Sequence, residues 1–503
     1  MTAPTVARRG GHGPVESAPL PSPPIGAADE ETPTDAPGAP EPAGGVGLGT
    51  VLGALAGLWG LMIGLSALSD NSFLTHLATG RLILDRGSVP ATDPYSFTAA
   101  GDAWTVQSWF ASVLYAGAEE IGGLGGVRLL NGLLCALLGV AVWLLTARSR
   151  SFLVRLAATA AVLVPATALW TGRPLLFGLL GLAAVLLVAD EQLDPRWLVP
   201  IGWVWVNTHG SFPLGVVLLV LLAVGRRLDE GRWDVERRAG LWLLGGFLLA
   251  AVNPIGPRLL LFPALLLRRS EAFQAIAEWQ APRYQMLVEW WVLGLVLVAV
   301  IGVARRPSWR AALPLVGFAA LALTSARNAA PLCLVVAPIL AGAVPTYGIE
   351  VGAIRRRSLR LATAGVVLVG VLFAVVSLRG PDSALDAYPT ETLAWMEEQG
   401  MWAPGERVVA PDFVGNFREA SAGADANVFI DDRVDMYPLD VVEDYQVLLK
   451  AEPDWPEVLD QRGATSILWK ADTPLGGALL ASDDWEVVRR DAPWVVLEPV
   501  AAP

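Results

Sequence analysis

The chain has 503 residues, 54% of them hydrophobic and only 17% charged, with a mean hydropathy of +0.49 and a formal net charge of -12. A soluble globular chain carries about a quarter charged residues, so this composition excludes an ordinary soluble enzyme, and nothing basic enough for nucleic-acid binding is present. Cys135 and Cys333 each fall inside an apolar run and read as small buried hydrophobes, with no disulfide framework or metal spacing.

In chain order, residues 1–46 hold ten prolines and almost no branched or aromatic apolar side chains. Such a segment cannot bury enough surface to order itself and reads as a disordered tail. Apolar runs of helical-span length follow, near 47–68, 124–146, 153–170, 174–189, 197–209, 212–226, 239–253, 289–304, 311–324, 329–345 and 361–378. A helix needs about 20 apolar residues to cross a hydrocarbon core roughly 30 Å thick. The expectation is therefore a polytopic α-helical membrane domain over 47–380 with about 11 spans. Residues 104–121 and 257–267 read as re-entrant or interfacial helices, with Trp104, Trp109 and Tyr115 suited to the headgroup zone.

Arginines gather on alternate connections: Arg148, Arg150 and Arg155; Arg226, Arg227, Arg232, Arg237 and Arg238; Arg305, Arg306 and Arg310; Arg355, Arg356, Arg357 and Arg360. The positive-inside rule places these connections in the cytoplasm. The tail is then inside, and residues 381–503 outside. That last segment carries 25 Asp plus Glu against 8 Lys plus Arg, so it reads as a separate acidic domain. Strands are expected at 407–410, 427–431, 465–469, 485–488 and 494–497, and helices at 390–399 and 439–449, which gives a small α/β fold.

A second polar set falls on the other connections, where arginine is disfavoured. It comprises Asp70, His76, Arg81, Asp93, Gln107, Arg173, Asn207, His209, Asn253, Arg258, Glu278, Arg283, Arg327 and Asn328. Charged groups at membrane depth usually face a cavity and pair there, so the set points to one polar cleft that binds an anion. Plainer readings stand beside this one. Asp70 also fits a cap for the helix starting near Ser72, Asp93 a turn before Pro94, and Arg173 and Arg327 snorkelling side chains. The run Asp431-Asp432-Arg433-Val434-Asp435 reads as a solvated acidic loop rather than a cation site.

The order of the short motifs carries a resemblance. Asp70-Asn71-Ser72-Phe73-Leu74-Thr75-His76, Gly80-Arg81, Thr92-Asp93-Pro94-Tyr95, Arg173-Pro174, Asn207-Thr208-His209-Gly210, Asn253-Pro254-Ile255-Gly256, Glu278-Trp279-Gln280, Arg327-Asn328 and Phe429-Ile430-Asp431-Asp432-Arg433 follow one another through the chain. The series resembles the GT-C superfamily of multi-span glycosyltransferases, in particular a bacterial group with an external C-terminal α/β domain. Two positions depart from that group's pattern. Ser72 stands where a second acid is expected, and Thr75 where an aromatic is.

The resemblance implies an enzyme of the bacterial cytoplasmic membrane. It would transfer a sugar from a polyprenyl-phosphate donor to a glycan, lipid or protein acceptor by single inverting displacement. In that role Asp70 would be the general base, and Asp93 would orient the acceptor or join a divalent-cation site, the one cofactor the resemblance leaves room for. Arg173, Arg258 and Arg327 would receive the donor phosphate, and His76, Arg81, Asn207, His209 and Glu278 would contact substrate. A transporter or lipid-handling protein built on the same cleft is the rival reading.

Overall fold

The computed structural model describes residues 47–149, 151–273, 277–343, 355–383 and 388–500. The proline-rich segment 1–46, expected to be disordered, lies outside the described residues.

A helix occupies each of the eleven apolar runs. In chain order the helices up to residue 377 are α1 (Leu48–Gly64), α2 (Ser72–Arg86), α3 (Trp109–Leu145), α4 (Phe152–Leu163), α5 (Ala166–Leu169), α6 (Leu175–Ala189), α7 (Leu198–Thr208), α8 (Pro213–Glu230), α9 (Asp234–Leu249), α10 (Phe262–Arg268), α11 (Leu287–Arg305), α12 (Trp309–Thr324), α13 (Ala329–Ala343) and α14 (Arg356–Ser377). Among the described residues, five helical stretches are long and apolar enough to cross a bilayer: Trp109–Arg148, Phe152–Leu169, Leu287–Arg305, Ala326–Ala343 and Arg356–Ser377. Others are shorter. The 15 residues of α6 reach about 22 Å at 1.5 Å per residue, less than a full hydrocarbon core. On α14 only Leu359 and Gly370 are buried, so the rest of its apolar surface is left for lipid.

Residues 109–121, within the segment expected to be a re-entrant or interfacial helix, form the first half of α3. Gly122 and Gly123 break the helix there, and Gly123 takes a φ of 61° that side-chain-bearing residues avoid. Trp104 and Tyr115, expected at the headgroup level, are buried in protein. Packing sets this geometry. A Cβ on Gly80 of α2 would sit 2.0 Å from the Ser112 carbonyl of α3, so only glycine lets the two backbones approach this closely.

Two sets of connections result. At one end Arg148 and Arg310 both pair with Asp190, and Arg226 and Arg310 with Glu236. Asp229 accepts from the Trp309 and Arg310 backbone N–H groups and caps α12. The other end carries Asp70, Arg173, His209, Glu278 and Arg327, and there the C-terminal residues dock.

Those residues form α15 (Thr390–Glu398), β1 (Val408–Val409), α16 (Asp412–Ala422), α17 (Leu439–Lys450), α18 (Trp455–Arg462), β2 (Ser466–Lys470), α19 (Pro474–Ala481), β3 (Trp485–Asp491) and β4 (Trp494–Pro499). The sheet order is β1-β2-β4-β3, with β1 parallel to β2 and the other pairs antiparallel. Central β2 is buried almost throughout, whereas edge β3 alternates in burial, as a period of two requires of a half-covered strand. The strand expected at 427–431 is absent. Val428 makes only an isolated bridge to Ser96, because this segment is drawn onto the loop after α2 and away from the sheet. Helix α16 was not anticipated.

The C-terminal fold shares its core with that loop: Tyr95, Trp104 and Val106 pack with Phe429, Ile430, Tyr437 and Trp469. At its centre Arg433, 6% exposed, pairs with Asp93 at 2.7 Å, Asp431 at 2.6 Å and Glu419 at 3.3 Å. Its guanidinium also lies 4.8 Å from the Tyr95 ring and 4.5 Å from the Trp104 ring. One cation faces three carboxyl groups. Burial, then the Asp431 charge, push the Glu419 carboxyl well above its usual range, which lets it hold a proton and relieves the imbalance. Arg433→Met should therefore leave buried carboxylates without a partner and cost about 3–5 kcal/mol. A thermal melt of the purified full-length protein that matched wild type would refute this.

Candidate active site

Asp70 follows the end of α1, and its carboxylate ties three parts of the chain together. Oδ1 accepts from the Ser72 N–H at 3.1 Å, the capping role foreseen from sequence. Oδ2 pairs with Arg173 Nε at 2.9 Å. Arg173 leaves the short loop between α5 and α6, where its Nε also donates to Thr171 Oγ1 at 2.8 Å. Its two terminal nitrogens fork onto Glu278, at 3.0 and 2.6 Å, the bidentate geometry that planar guanidinium and carboxylate groups favour. Glu278 stands beside Trp279, and the Arg327 guanidinium lies 4.2 Å from the Trp279 ring. The Ser325 hydroxyl donates to the Glu278 carbonyl and the Ala326 N–H to the Gln280 carbonyl, which fixes the two short helical turns 277–279 and 326–328 side by side. Half-buried Arg327 has no hydrogen-bond or ion-pair partner among the described residues.

The two histidines belong to the same cluster. His209 follows α7. Its Nδ1 accepts from the Ser211 N–H at 3.2 Å and faces the Ser211 hydroxyl at 2.8 Å, so the neutral ring carries its proton on Nε2 and can donate there. Burial first, then the charges of Arg327 and Arg173, push its pKa down to about 3. His76, on α2, faces the Ser112 hydroxyl at 3.2 Å, and burial followed by the Arg173 charge pushes it down to about 4. Both rings are therefore neutral near pH 7. They can hydrogen-bond a ligand but add no charge, so the positive potential comes from the two arginines.

The C-terminal fold reaches this cluster too. The Asp432 side chain comes within interaction range of Ser72 and Asp70. Asn416 of α16 locks the contact. Its Oδ1 accepts from Thr75 Oγ1 at 3.0 Å and from the Asp432 N–H at 3.1 Å. Tyr388 lies within the field of Asp70, Asp432 and Asp412, and burial is the main reason its hydroxyl is pushed up to about 12. The run 431–435, expected to be a solvated loop, is therefore a correction: Asp431 is fully buried and Asp432 and Asp435 half-buried. The missed signal was its setting between the apolar residues Phe429-Ile430 and Met436-Tyr437. Another residue missed is Tyr115, whose hydroxyl is buried without a partner and interacts with Asp70 and Arg173.

Other expected site residues are placed differently. Asp93 accepts from the Tyr95 and Ser96 N–H groups and pairs with Arg433, so it belongs to the buried core joining the loop to the C-terminal fold. Arg81 pairs with Glu119 and donates to the Ala420 carbonyl at 2.6 Å. Asn207 is fully buried between the Trp109 indole N–H and the Trp203 carbonyl, both at 2.8 Å. Arg258 is exposed and enters none of the cluster's ion pairs. Among the described residues, no group of three or more His, Cys, Asp or Glu side chains is placed to hold a metal ion.

This bundle, with polar helix ends gathered beneath a docked C-terminal fold, matches known structures. An archaeal oligosaccharyltransferase, AglB from Archaeoglobus fulgidus, superposes with a TM-score of 0.55 at 13% identity, over 84% of this chain and 69% of that one. The chain has the GT-C fold. That AglB structure is a complex with an inhibitory peptide and a dolichol-phosphate. ArnT from Cupriavidus metallidurans, bound to undecaprenyl phosphate, aligns over 90% of this chain and 98% of its own at 16% identity, with a TM-score of 0.40. No protein-family model and no curated protein matches the sequence. Within this GT-C chain the acid cluster should be visible in stability. Burial, with Asp431, Asp412 and Asp70 nearby, pushes the Asp432 carboxyl up to about 7. The folded state then keeps a proton that the unfolded chain gives up above about pH 4, so stability falls as pH rises between those two values. Asp432→Asn removes that loss. Its melting temperature relative to wild type should climb from about pH 5 to about pH 8, and a difference that stays flat across this range would count against the assignment.

Proposed function

We propose that the protein transfers a sugar from a polyprenyl-phosphate-linked donor to an acceptor hydroxyl at the outer face of a bacterial cytoplasmic membrane. The observation that carries this reading is the convergence of Asp70, Arg173, His209 and Arg327, with Arg327 in no ion pair among the described residues, on the GT-C fold. An unpaired, half-buried guanidinium is costly unless an anion completes it, and a phosphate headgroup arriving from the bilayer fits its fork. The orientation rests on the arginine-rich connections at the opposite end.

In this reading Arg327 takes the donor phosphate. Arg173 assists it and at the same time orients Asp70, while Glu278 holds the Arg173 fork in place. His209 Nε2–H and His76 bond phosphate or sugar oxygens as neutral donors. The acceptor oxygen attacks the anomeric carbon and forms the new glycosidic bond. The carbon–oxygen bond to phosphate breaks, its electron pair leaves with the phosphate, and the acceptor proton passes to Asp70. The single displacement inverts the anomeric centre. Asp93 and Asn207 have an anchoring role here rather than a chemical one, and no step is routed through a metal ion.

Two measurements test the reading. Native mass spectrometry of the protein in lipid nanodiscs should show undecaprenyl phosphate bound to wild type, with affinity at least about tenfold lower for Arg327→Ala, since a charge-assisted hydrogen bond is worth about 1.5–3 kcal/mol. Arg258→Ala should bind within about twofold of wild type. Equal binding by the Arg327 variant would remove the phosphate assignment. Membranes supplied with lipid-linked sugars should lose about 10²–10⁴-fold of transfer with Asp70→Asn while lipid binding persists, and normal turnover in that variant would take Asp70 out of the chemistry.

A further inference from the structure

Asp70 borders a second space that the phosphate cluster does not share. A cavity of about 160 Å³ lies between α2, the first half of α3 and the C-terminal fold. Asp70 stands on its wall, whereas Arg173, His209, Glu278 and Arg327 do not line it. Tyr388 and Phe417 form its C-terminal side, ring centroids 5.2 Å apart and tilted by 30°. The Arg81–Glu119 pair forms another wall, joined through Arg81 to the Ala420 carbonyl. The rest of the lining is leucine, phenylalanine, alanine and serine.

We propose that this cavity is the acceptor subsite and that it takes a single uncharged sugar ring, a deepening that rests on the transferase reading above. In a single displacement the nucleophile approaches opposite the leaving phosphate, so the acceptor must enter from a side where the guanidinium groups are not. Asp70 is the group that touches both spaces, which is where a base must stand to take the acceptor proton. The size decides the ligand's extent. A volume of about 160 Å³ in a cavity open on one side is of the order of one sugar ring, so one ring of an acceptor would be enclosed beside Asp70. Charge decides its nature. Arg81 is neutralised by Glu119 and Asp70 is paired with Arg173, so the walls offer no free cation to hold a phosphorylated or acidic sugar. The aromatic pair offers electron-rich faces to the C–H side of a sugar ring. The Tyr388 hydroxyl, which has no hydrogen-bond partner among the described residues, remains to bond its hydroxyls.

The test uses the full-length protein in nanodiscs. Methyl glucoside, methyl galactoside, methyl mannoside and glucose 6-phosphate are titrated by thermal shift, and undecaprenyl phosphate binding is followed in parallel. At least one neutral methyl glycoside should stabilise wild type, and glucose 6-phosphate should not. Ser421→Trp, at the exposed rim, should block the cavity and lower that affinity by about tenfold or more. Tyr388→Phe, which removes one hydroxyl, should lower it by about fivefold, the worth of one hydrogen bond. Both variants should keep the lipid. Lipid binding without any glycoside binding, glycoside binding unchanged in both variants, or preference for glucose 6-phosphate would each overturn the subsite and leave the donor reading standing. Failure of wild type to bind undecaprenyl phosphate would instead overturn the donor reading.

Discussion

The organisation of this protein depends on one buried cation. Arg433 sits among Asp93, Asp431 and Glu419, between the rings of Tyr95 and Trp104. Removing a guanidinium from water is expensive, and the cost is offset only when every donor finds an acceptor in good geometry. The consequence is positional. Arg433, Asp431 and Glu419 belong to the C-terminal fold and Asp93 to the loop after α2, so the Arg433–Asp93 pair is the one of the three that forms only when the two regions dock in register. That register places Asn416 on Thr75 and brings Asp432 within range of Ser72 and Asp70. The Asp70 carboxylate, just after α1, is thus given part of its surroundings by residues more than 300 positions later.

A second constraint acts within the membrane body. Helices that alternate in direction bring their polar ends together in two groups, and the two groups are built differently. At the arginine-rich end, Arg148, Arg226 and Arg310 are matched by Asp190 and Glu236, and the carboxylates join helix ends. At the other end the matching is incomplete. Arg173 is shared between Asp70 and Glu278, while Arg327 is set against an aromatic face, within the field of Glu278 but in no ion pair among the described residues. Where pairing is complete the charges hold structure. Where it is left open, at Arg327, the proposed phosphate site falls. Burial keeps both nearby histidines neutral, so the open positive charge is concentrated on the guanidinium groups.

The sequence reading and the structure differ in instructive places. Asp70, His76, Arg173, His209, Glu278 and Arg327 were legible as one set because each is polar and stands at a helix end on the same side of an alternating bundle. Asp93 and Asn207 carry the same local signature, yet each is consumed by a buried partner, Arg433 and the Trp109 indole respectively. Local chemistry does not distinguish a polar group awaiting a ligand from one already satisfied. Asp432 was hidden for the opposite reason. An acidic run looks solvated until the apolar residues on both sides of it are seen to enter a core shared with the loop after α2. Helix α16 has apolar residues at helical spacing, Phe413, Val414 and Phe417, but its buried face also carries Asn416, Arg418 and Glu419, which hid it.

By itself, the sequence determined the class of solvent this chain needs, the positions of its apolar helices, the strands of its C-terminal sheet at β1, β2, β3 and β4, and the side of the bundle that carries its unusual charges. These follow from hydropathy and short-range periodicity, which act over a few residues. Only the tertiary structure decided which of those charges meet, that Asn416 would tie Asp432 to Thr75 of α2, and that a cavity would open between α2 and the aromatic residues Tyr388 and Phe417. Ion pairing and desolvation depend on neighbours brought from hundreds of residues away, and no local pattern encodes them.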